Sequence, residues 1–590
     1  MISAEMPRRS DGSGTFAAVE RQPVTVAGTR STRITVWILT LMAIALYAPM
    51  IGWGVPHATA PDRTRPFSVD DILPLEPLAE MHNTFVVSKP DRNYGYPWWH
   101  YFVVAVAYAP YVGYLVLSGG LSSPVPEFPF GLQDPVTSLW WLTLIGRSVT
   151  LLMAAGTVVA SYHFSKILWG HFVGVIAAVL TMLNYLMWYY SRTGNLDVPA
   201  FFWSSIGFAV FATILVKGLT IRRAVSLGIF AGLAMATKDQ ALVFFLPLGL
   251  ALLFPCFNHS RGSAYQVKPL LFGLGASLLA YLIGTGMVVD PQRHLTHVYS
   301  MLFEQSRVSN AGLYRPPHPH TWHGTLELTR DYVNTLVVGL SLPVLLASVA
   351  GALLVLGSAP ARLVVLIPAA TLFLMLALPT GYALVRYVLP LTLVIDSFAA
   401  LLVLRVRGSF LRPAWIPLLV ILCGWRLLIG ADLTYAQYHE TRSAASKWFN
   451  AHARPGDRVE YFGISQQLPH LPAEINTRRV TDRPDWKGRF DHGPSVLRYL
   501  ATEGPEYVVI IPDAYSKPGM DRSGDCPPEV YDALTRGATG YRQVAFFPTP
   551  SLLAGPLRRP YLDYPSVSPP VRIFAREDVW AKREHTEVRF

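Results

Sequence analysis

The feature that most constrains this chain is a series of apolar segments, many about 20 residues long, that recurs from residue 34 to residue 430. A helix of about 20 residues is long enough to cross the hydrocarbon core of a bilayer. Only 15% of the residues are charged, whereas soluble domains carry about 25%. The sequence therefore predicts a bundle of membrane-spanning helices, followed by a segment with the composition of a soluble domain.

Basic residues between the apolar segments predict which segments cross the membrane, because cytoplasmic loops are enriched in Lys and Arg. The twelve segments are 34–54, 97–118, 138–161, 171–190, 198–216, 224–237, 239–256, 269–289, 333–356, 361–379, 384–404 and 413–430. The basic loops all fall on one side only if one early segment does not cross. We predict that 97–118 is the segment that does not cross, because it is rich in interfacial aromatic residues and ends without a basic residue. The alternative is that 97–118 crosses and a short segment such as 224–237 is re-entrant.

The predicted fold class is a mainly α-helical polytopic membrane protein. It has about 11 transmembrane helices, a membrane-associated helix in the first outside loop and a C-terminal soluble α/β domain. Residues 1–33 are expected to form a disordered cytoplasmic N-terminus. Residues 34–430 form the transmembrane domain, with a first outside loop at 55–137 and a long outside loop at 290–332. Residues 431–590 form the extracytoplasmic domain, so the chain is expected to be a multi-pass protein of the cell membrane.

Alternating helix-like and strand-like stretches predict the α/β character of the C-terminal domain. The helix-like stretches are 441–452, 495–502 and 528–536, and the strand-like stretches are 458–462, 507–512, 541–547 and 571–575. This domain contains neither a catalytic motif nor a glycine-rich phosphate loop. We expect it to cover the site or to select the acceptor, and a purely structural role is the alternative.

Charge and cysteine content exclude several classes of function. Much of the net charge of +11 comes from the N-terminal segment and the short basic loops. That is the result of the positive-inside rule, so membrane lipids and no nucleic acid are expected as partners. Three cysteines, two of them in or beside apolar segments, predict neither a disulfide nor a cysteine metal site.

Charged residues collect on the predicted outer side, where ionisable groups near a membrane are usually functional. They are Asp70, Asp71, Arg192, Asp197, Lys238, Asp239, Arg386 and the histidines of the long outside loop. Carboxylates there can accept a proton from an acceptor group. Cations can hold a phosphate leaving group.

Each of these residues also has a plainer interpretation. Asp70 and Asp71 would suit a solvated loop or a helix cap, and Asp197 would suit a cap before Pro199. Lys238 could extend its amine to a lipid headgroup. The His-Pro-His-Thr-Trp-His stretch lacks metalloprotease spacing, so we expect no metal. A divalent cation is the less favoured alternative.

Several short motifs follow one another in a characteristic order along the chain. They are Ser68-Val-Asp70-Asp71-Ile, Tyr94-Gly-Tyr96-Pro97-Trp98-Trp99-His100-Tyr101, Gly146-Arg147-Ser148, Ser191-Arg192, Asp197, Thr237-Lys238-Asp239 and Val-Arg386-Tyr387. The ordered set resembles the C-type glycosyltransferases of the protein O-mannosyltransferase and aminoarabinose-transferase kind, which use polyprenyl-phosphate or dolichyl-phosphate sugars. The resemblance covers roughly residues 34–430.

The resemblance implies roles for individual residues. Asp70 matches the family's base on the acceptor, and Asp71, which replaces a glutamate, is the second catalytic candidate. Tyr96 stands where the aminoarabinose branch has a phosphate-binding lysine. Contact with the donor phosphate is therefore assigned to Arg386, Lys238 and His100. The residues expected to shape the acceptor site are Asp197, Tyr96 and Tyr387.

The implied reaction moves a sugar from a polyprenyl-phosphate donor to a hydroxyl or amine of a lipid, glycan or protein acceptor. It proceeds by a single displacement with inversion and without a cofactor. One alternative is a transporter or flippase of lipid-linked glycans, which would favour internal repeats and charges at the membrane midplane. Another is a membrane-bound O-acyltransferase, which would need an intramembrane histidine.

Overall fold

The computed structural model describes residues 29–87, 96–254, 267–299, 317–357, 359–482, 493–513, 516, 520–554 and 567–587. Residues 1–28 of the predicted N-terminal tail lie outside this part of the chain, as do Tyr94, Cys256 and Arg315. Residues 29–33, which were predicted to be disordered, instead form the first turn of a helix.

The membrane part of the chain is helical. Its helices are α1 Thr29–Tyr47, α2 Glu76–His82, α3 Trp99–Leu117, α4 Pro135–Trp169, α5 His171–Leu183, α6 Tyr185–Tyr190, α7 Asp197–Lys217, α8 Ile221–Met235, α9 Leu242–Ala251, α10 Val267–Gly284, α11 Pro291–Tyr299, α12 Trp322–Leu340, α13 Leu342–Leu356, α14 Pro360–Thr380, α15 Val385–Arg407 and α16 Trp415–Tyr438. Helices α14 and α15 begin as 3₁₀ turns, Pro360–Leu366 and Val385–Leu391.

Seven of the described helices are long and apolar enough to cross a membrane, or eight if a bent pair counts as one span. The chain is therefore a multi-pass membrane protein of mainly helical fold, as the sequence predicts. The number of eleven crossings stays a prediction.

Two predicted segments are broken in the structure. Segment 171–190 divides at Asn184, whose extended backbone ends α5 and whose side chain accepts a hydrogen bond from the Leu186 amide at 2.9 Å. Segment 333–356 bends by 100° between α12 and α13. There Ser341 has a left-handed backbone (φ 68°), and a proline follows at the start of α13. In both cases a polar residue with non-helical backbone interrupts an apolar stretch.

Helix α4 is too long for the bilayer alone. Its 35 residues extend about 52 Å at 1.5 Å per residue, against a hydrocarbon core of about 30 Å. Near its end, Lys166 donates to Thr32 at the start of α1 at 2.6 Å, and about a third of the way along it Arg147 donates to the Ile51 carbonyl oxygen in the segment after α1. The first third of α4 therefore extends past the far end of α1.

Helix α3 packs beside this extension of α4. The ring centres of Tyr111 and Trp141 are 6.5 Å apart, and Tyr108 lies against Gly146. Helix α3 is itself one of the seven helices that are long and apolar enough to cross a membrane. That segment 97–118 adds no crossing therefore stays a prediction.

Helices α8 and α10 approach each other through glycines. A Cβ placed on Gly228 would lie 2.1 Å from the carbonyl oxygen of Gly273, and a Cβ on Gly232 would lie 2.5 Å from the Ser277 carbonyl oxygen. Small residues permit such close contact between membrane helices, where packing drives association. The two helices therefore form a tightly joined pair.

A five-stranded mixed sheet forms the centre of the C-terminal α/β domain, and helix α17 (Thr441–His452) packs into the core of this domain. Its elements are β1 Arg458–Phe462, β2 Asn476–Arg479, α18 Gly493–Glu503, β3 Tyr507–Ile510, α19 Pro528–Thr535, β4 Tyr541–Phe547, β5 Val571–Arg576 and α20 Glu577–Glu587. The strand order is β2-β1-β3-β5-β4. The pairs β1–β2 and β1–β3 are parallel, and β3–β5 and β4–β5 are antiparallel. Every strand in the sequence-based prediction is present, and β2 is an addition.

A buried ion pair joins α15 and α16 inside the membrane bundle. Arg426 binds both carboxylate oxygens of Asp396, at 2.8 and 2.9 Å, and also donates to the carbonyl oxygens of Leu180 and Leu340. Thr181 donates to the same carboxylate at 3.1 Å. Since both side chains are at most 2% exposed, each needs the other to offset its loss of hydration.

Replacing one partner of this pair should destabilise the protein strongly. We expect Asp396→Ala to lower the free energy of unfolding by about 3–5 kcal/mol, because it leaves an unpaired buried cation. The double variant Asp396→Leu/Arg426→Met should recover most of the loss. Thermal unfolding of the purified protein in detergent measures both. The exposed Arg405 on the same helix gives the control Arg405→Met, and equal losses in the single and double variants would contradict the assignment.

Candidate active site

Asp70 lies between α1 and α2, in the predicted first outside loop, and forms an ion pair with Arg386. Its backbone is left-handed (φ 59°), a conformation that Asp tolerates better than most residues. Arg386 comes from the 3₁₀ turn that opens α15. These two residues are 316 positions apart in the sequence, so the fold brings together the predicted base and one predicted phosphate ligand.

Lys238 lies beside this pair and binds Asp197. The Lys238 amine is 2.6 Å from a carboxylate oxygen of Asp197, and both side chains are at most 7% exposed. Asp197 is the first residue of α7, its amide donates to the Asn195 side chain, and the N-cap position is Leu196, whose side chain cannot cap. Asp197 therefore serves as the lysine's counter-ion instead of a helix cap, and Lys238 is held inside the protein instead of reaching a headgroup.

Two tyrosine rings enclose the cations. The Lys238 amine lies 5.8 Å from the ring centre of Tyr387 and 5.9 Å from that of Tyr96. The guanidinium carbon of Arg386 is 5.9 Å from the ring centre of Tyr387. Because aromatic faces attract cations within about 6 Å, these rings help to fix where the charged groups point. The two predicted site-shaping tyrosines are thus part of the cluster.

The cations set the ionisation of Asp70. Burial raises the pKa of Asp70, but the charge and hydrogen bond of Arg386, together with the charge of Lys238, outweigh burial. The pKa of this carboxyl therefore lies below its ordinary value, and Asp70 is ionised at neutral pH. An ionised carboxylate is the form that accepts a proton.

Asp71 is enclosed and has a different environment. One of its oxygens accepts hydrogen bonds from Arg147 of α4 at 2.8 Å and from the Ser68 hydroxyl at 2.5 Å, and its side chain is 1% exposed. Arg147 also donates to the carbonyl oxygens of Ile51 and Trp53. This environment favours a role for Asp71 in holding the loop, so that Asp70 is the better candidate for the base.

His100 is fully buried on α3 and is not part of the cation cluster as described. It lines a small void of about 10 Å³ together with Asp71, Tyr108 and Arg147, which is about the space of one water molecule. Among the described residues, its two ring nitrogens have no hydrogen-bond partner. The geometry therefore does not favour a phosphate contact for His100, and its assignment stays a prediction.

Sequence reasoning gave no role to three residues that hold the Asp70 loop. They are Arg147, which binds Asp71, Gly194, whose carbonyl oxygen accepts a hydrogen bond from the Ile72 amide at 3.3 Å, and Gln466, whose side chain donates to the Ser68 carbonyl oxygen. Gln466 belongs to the C-terminal domain, so no local pattern could have linked it to this loop. Arg147 stood within a recognised motif, but its partner is 76 residues away.

The long outside loop also meets the site region. Arg293 binds Glu80 of α2 at 2.7 Å, and His297 lies 3.0 Å from Asp239, the neighbour of Lys238. Within the residues that the structure describes, no group of three or more His, Cys, Asp and Glu side chains could hold a metal ion.

Comparison with known proteins gives structural neighbours only. No protein-family model and no curated protein matches the sequence. ArnT from Cupriavidus metallidurans, solved with undecaprenyl phosphate, is 12% identical with a TM-score of 0.45, covering 91% of this chain and 97% of that one. The archaeal oligosaccharyltransferase AglB from Archaeoglobus fulgidus, solved with an inhibitory peptide and a dolichol-phosphate, is 13% identical with a TM-score of 0.41 and coverages of 81% and 69%.

A third neighbour is the arabinofuranosyltransferase AftD from Mycobacteria. It is 14% identical with a TM-score of 0.33, and the match covers 93% of this chain and 40% of that one. The resemblance to C-type glycosyltransferases that the motifs predict is thus confirmed as a resemblance. At such low identities and TM-scores it is no evidence of what this chain does, which has to follow from its own residues.

Substitution of Gly194 tests how closely the first outside loop must fit. A Cβ at this position would lie 2.3 Å from a carboxylate oxygen of Asp71, so Gly194→Ala should displace the loop and lower the free energy of unfolding by about 1–3 kcal/mol. Thermal unfolding measures the change. Gly249→Ala is the matched control because a Cβ there meets nothing within 4 Å. Equal stability of the two variants would show that the loop does not depend on this contact.

Proposed function

We propose that this protein is a membrane glycosyltransferase. It transfers a sugar from a polyprenyl-phosphate donor to an acceptor hydroxyl or amine on the extracytoplasmic side. The observation that carries the proposal is the cluster of Asp70, Arg386, Lys238 and Asp197, in which an ionised carboxylate lies beside the buried Lys238 and the largely enclosed Arg386. The predicted topology puts these residues on the outer side.

The cations suit the leaving group of such a reaction. A lipid phosphate needs charge stabilisation more than covalent help to depart. Arg386 offers a planar group of donors and Lys238 a compact ammonium. A phosphate bound to Arg386 would compete with Asp70 for the guanidinium. Donor binding would then release the Asp70 carboxylate for its role as a base.

The chemical step is a single displacement. The acceptor oxygen or nitrogen forms a bond to the anomeric carbon while the bond from that carbon to the phosphate oxygen breaks. The electron pair of the breaking bond goes to the phosphate, and the acceptor proton goes to Asp70. Attack opposite to the leaving group inverts the anomeric configuration. The proposal needs no metal, since Arg386 and Lys238 neutralise the phosphate, and chelation with EDTA tests the alternative of a divalent cation.

The transporter alternative would assign function to charges within the membrane. The described charges inside the bundle include the pair of Asp396 and Arg426, which is enclosed and bound to backbone carbonyl groups and Thr181. A transported ligand could not reach this pair without opening the bundle. We therefore favour the enzyme.

Replacement of the proposed base should abolish transfer. We expect Asp70→Asn to lower kcat by about 10²- to 10⁴-fold, the usual contribution of a general base, while donor binding is kept. The assay incubates membranes with radiolabelled sugars on undecaprenyl phosphate or dolichyl phosphate and follows transfer. Asp532→Asn, at an exposed carboxylate in α19, is the control. Unchanged transfer by the Asp70 variant would remove Asp70 from this role.

The pH profile tests the pairing of Asp70 with Arg386. Asp70 acts in its ionised form, so its lowered pKa in the free enzyme places the acid limb of kcat/KM below the ordinary aspartate value of 3.8. Arg386→Gln removes the main lowering influence and leaves burial, so the acid limb should move to higher pH. Measurements of kcat/KM for the donor between acid and neutral pH show the shift, because kcat/KM reports the free enzyme, in which the pair is intact. Arg536→Gln, at an exposed arginine, should leave the limb in place, and an unmoved limb in Arg386→Gln would contradict the pairing.

A further inference from the structure

A cavity of about 380 Å³ lies where the first outside loop, the first turns of α4 and the C-terminal domain meet. It is lined by Val55, Pro56, His57, Val136, Thr137, Trp140, Trp141 and His470. Ligand pockets in proteins usually measure about 300–1,000 Å³, so a small organic group can fit. The mechanism proposed above gives these residues no role.

Two tryptophans form one wall of the cavity. The ring centres of Trp140 and Trp141 are 4.8 Å apart and their planes are nearly perpendicular. The Trp141 side chain is 45% exposed although it is large and apolar. Indole faces offer a broad apolar surface, and their N–H groups offer a polar edge. That combination suits a sugar ring, which has an apolar C–H face and a polar rim.

Two histidines form another wall. The rings of His57 and His470 stack with 5.2 Å between their centres, and His470 also lies 4.8 Å from the ring centre of Phe67. Burial, and then the charge of nearby Arg63, lowers the pKa of His57, and burial with neighbouring cations lowers that of His470 to about 3. Both imidazoles are therefore neutral at physiological pH and each has one donor and one acceptor nitrogen.

The residues that line the cavity carry no charge at neutral pH. A phosphate, sulfate or carboxylate would find no counter-ion among them, and burial of an unpaired charge is unfavourable. Hydroxyl groups, which both donate and accept, match the neutral imidazoles and the Thr137 side chain. The chemistry therefore selects a neutral, polyhydroxylated ligand with apolar faces.

The position of the cavity relates it to Asp70. Phe67, which packs on His470, is three residues before Asp70, so their Cα atoms are at most about 11 Å apart at 3.8 Å per residue. A short oligosaccharide could occupy the cavity and still reach Asp70. We infer that this cavity binds a neutral saccharide unit of the acceptor, which makes the acceptor a glycan or glycoconjugate. That the cavity binds a saccharide follows from its own residues. That this saccharide is the acceptor rests on the proposed function.

Direct binding of saccharides tests the inference without any donor. The full-length protein in lipid nanodiscs is mixed with mannotriose, arabinotriose or maltotriose, and saturation-transfer NMR detects contact. We expect at least one trisaccharide to bind. Trp140→Ala and Trp141→Ala should each weaken its binding by about tenfold or more, because each removes an indole ring that supplies much of the apolar contact surface of the cavity. His470→Gln, which keeps a polar side chain, should weaken binding less. Trp322→Ala, at a tryptophan that is 84% exposed on α12, is the matched control.

Each outcome decides the question. Absence of binding by all three trisaccharides, or equal binding by the wild type and the folded Trp140 and Trp141 variants, overturns the inference. In that case transfer to a lipid or peptide acceptor that still depends on Asp70 would leave the proposed function standing. Saccharide binding that persists in Asp70→Asn, without transfer by the wild type in any assay, would support the cavity and remove the glycosyltransferase proposal.

Discussion

The site depends on one buried guanidinium, that of Arg147, which fastens the first outside loop to the membrane bundle. Its donors bind two carbonyl oxygens from the segment after α1 and the carboxylate of Asp71. A fully buried arginine is tolerable only where such acceptors satisfy it. This requirement fixes the loop in one position, and with it the backbone of Asp70. Asp70 and the cations can then meet although they come from separate parts of the chain.

The C-terminal domain completes this arrangement from the other side. Arg63 of the first outside loop donates to the carbonyl oxygens of Leu471, Pro472 and Ile475, and Gln466 holds the carbonyl group of Ser68. Arg442 lies over the ring of Phe67, with 3.9 Å between its guanidinium carbon and the ring centre. The domain therefore supports the loop that carries Asp70, whatever else it does. A structural role and a role in acceptor choice, which are alternatives at the level of sequence, are compatible in this fold.

Sequence patterns predicted the elements well where the pattern was local. Strands β1 and β4 have the predicted bounds because enrichment in Val, Tyr and Phe is a property of each segment by itself. Strand β2, Asn-Thr-Arg-Arg, was missed because it has no apolar face and is held by its parallel pairing with β1 and by the ion pair of Arg478 with Glu460.

The charged residues of the candidate site were visible in the sequence. Their pairing was not, since Asp70 with Arg386 and Asp71 with Arg147 depend on tertiary contacts, and the cavity combines residues from three segments.

The glycine contacts between α8 and α10 have a consequence for Lys238, which follows α8 directly. Two helices whose backbones touch cannot slide along each other without collision, so the end of α8 has a fixed position relative to α10. The position of the Lys238 ammonium group, and so of a donor phosphate bound to it, is then fixed relative to both helices. Under the proposed function, a lipid with its phosphate at another position would be rejected by geometry, without any contact to its hydrocarbon tail.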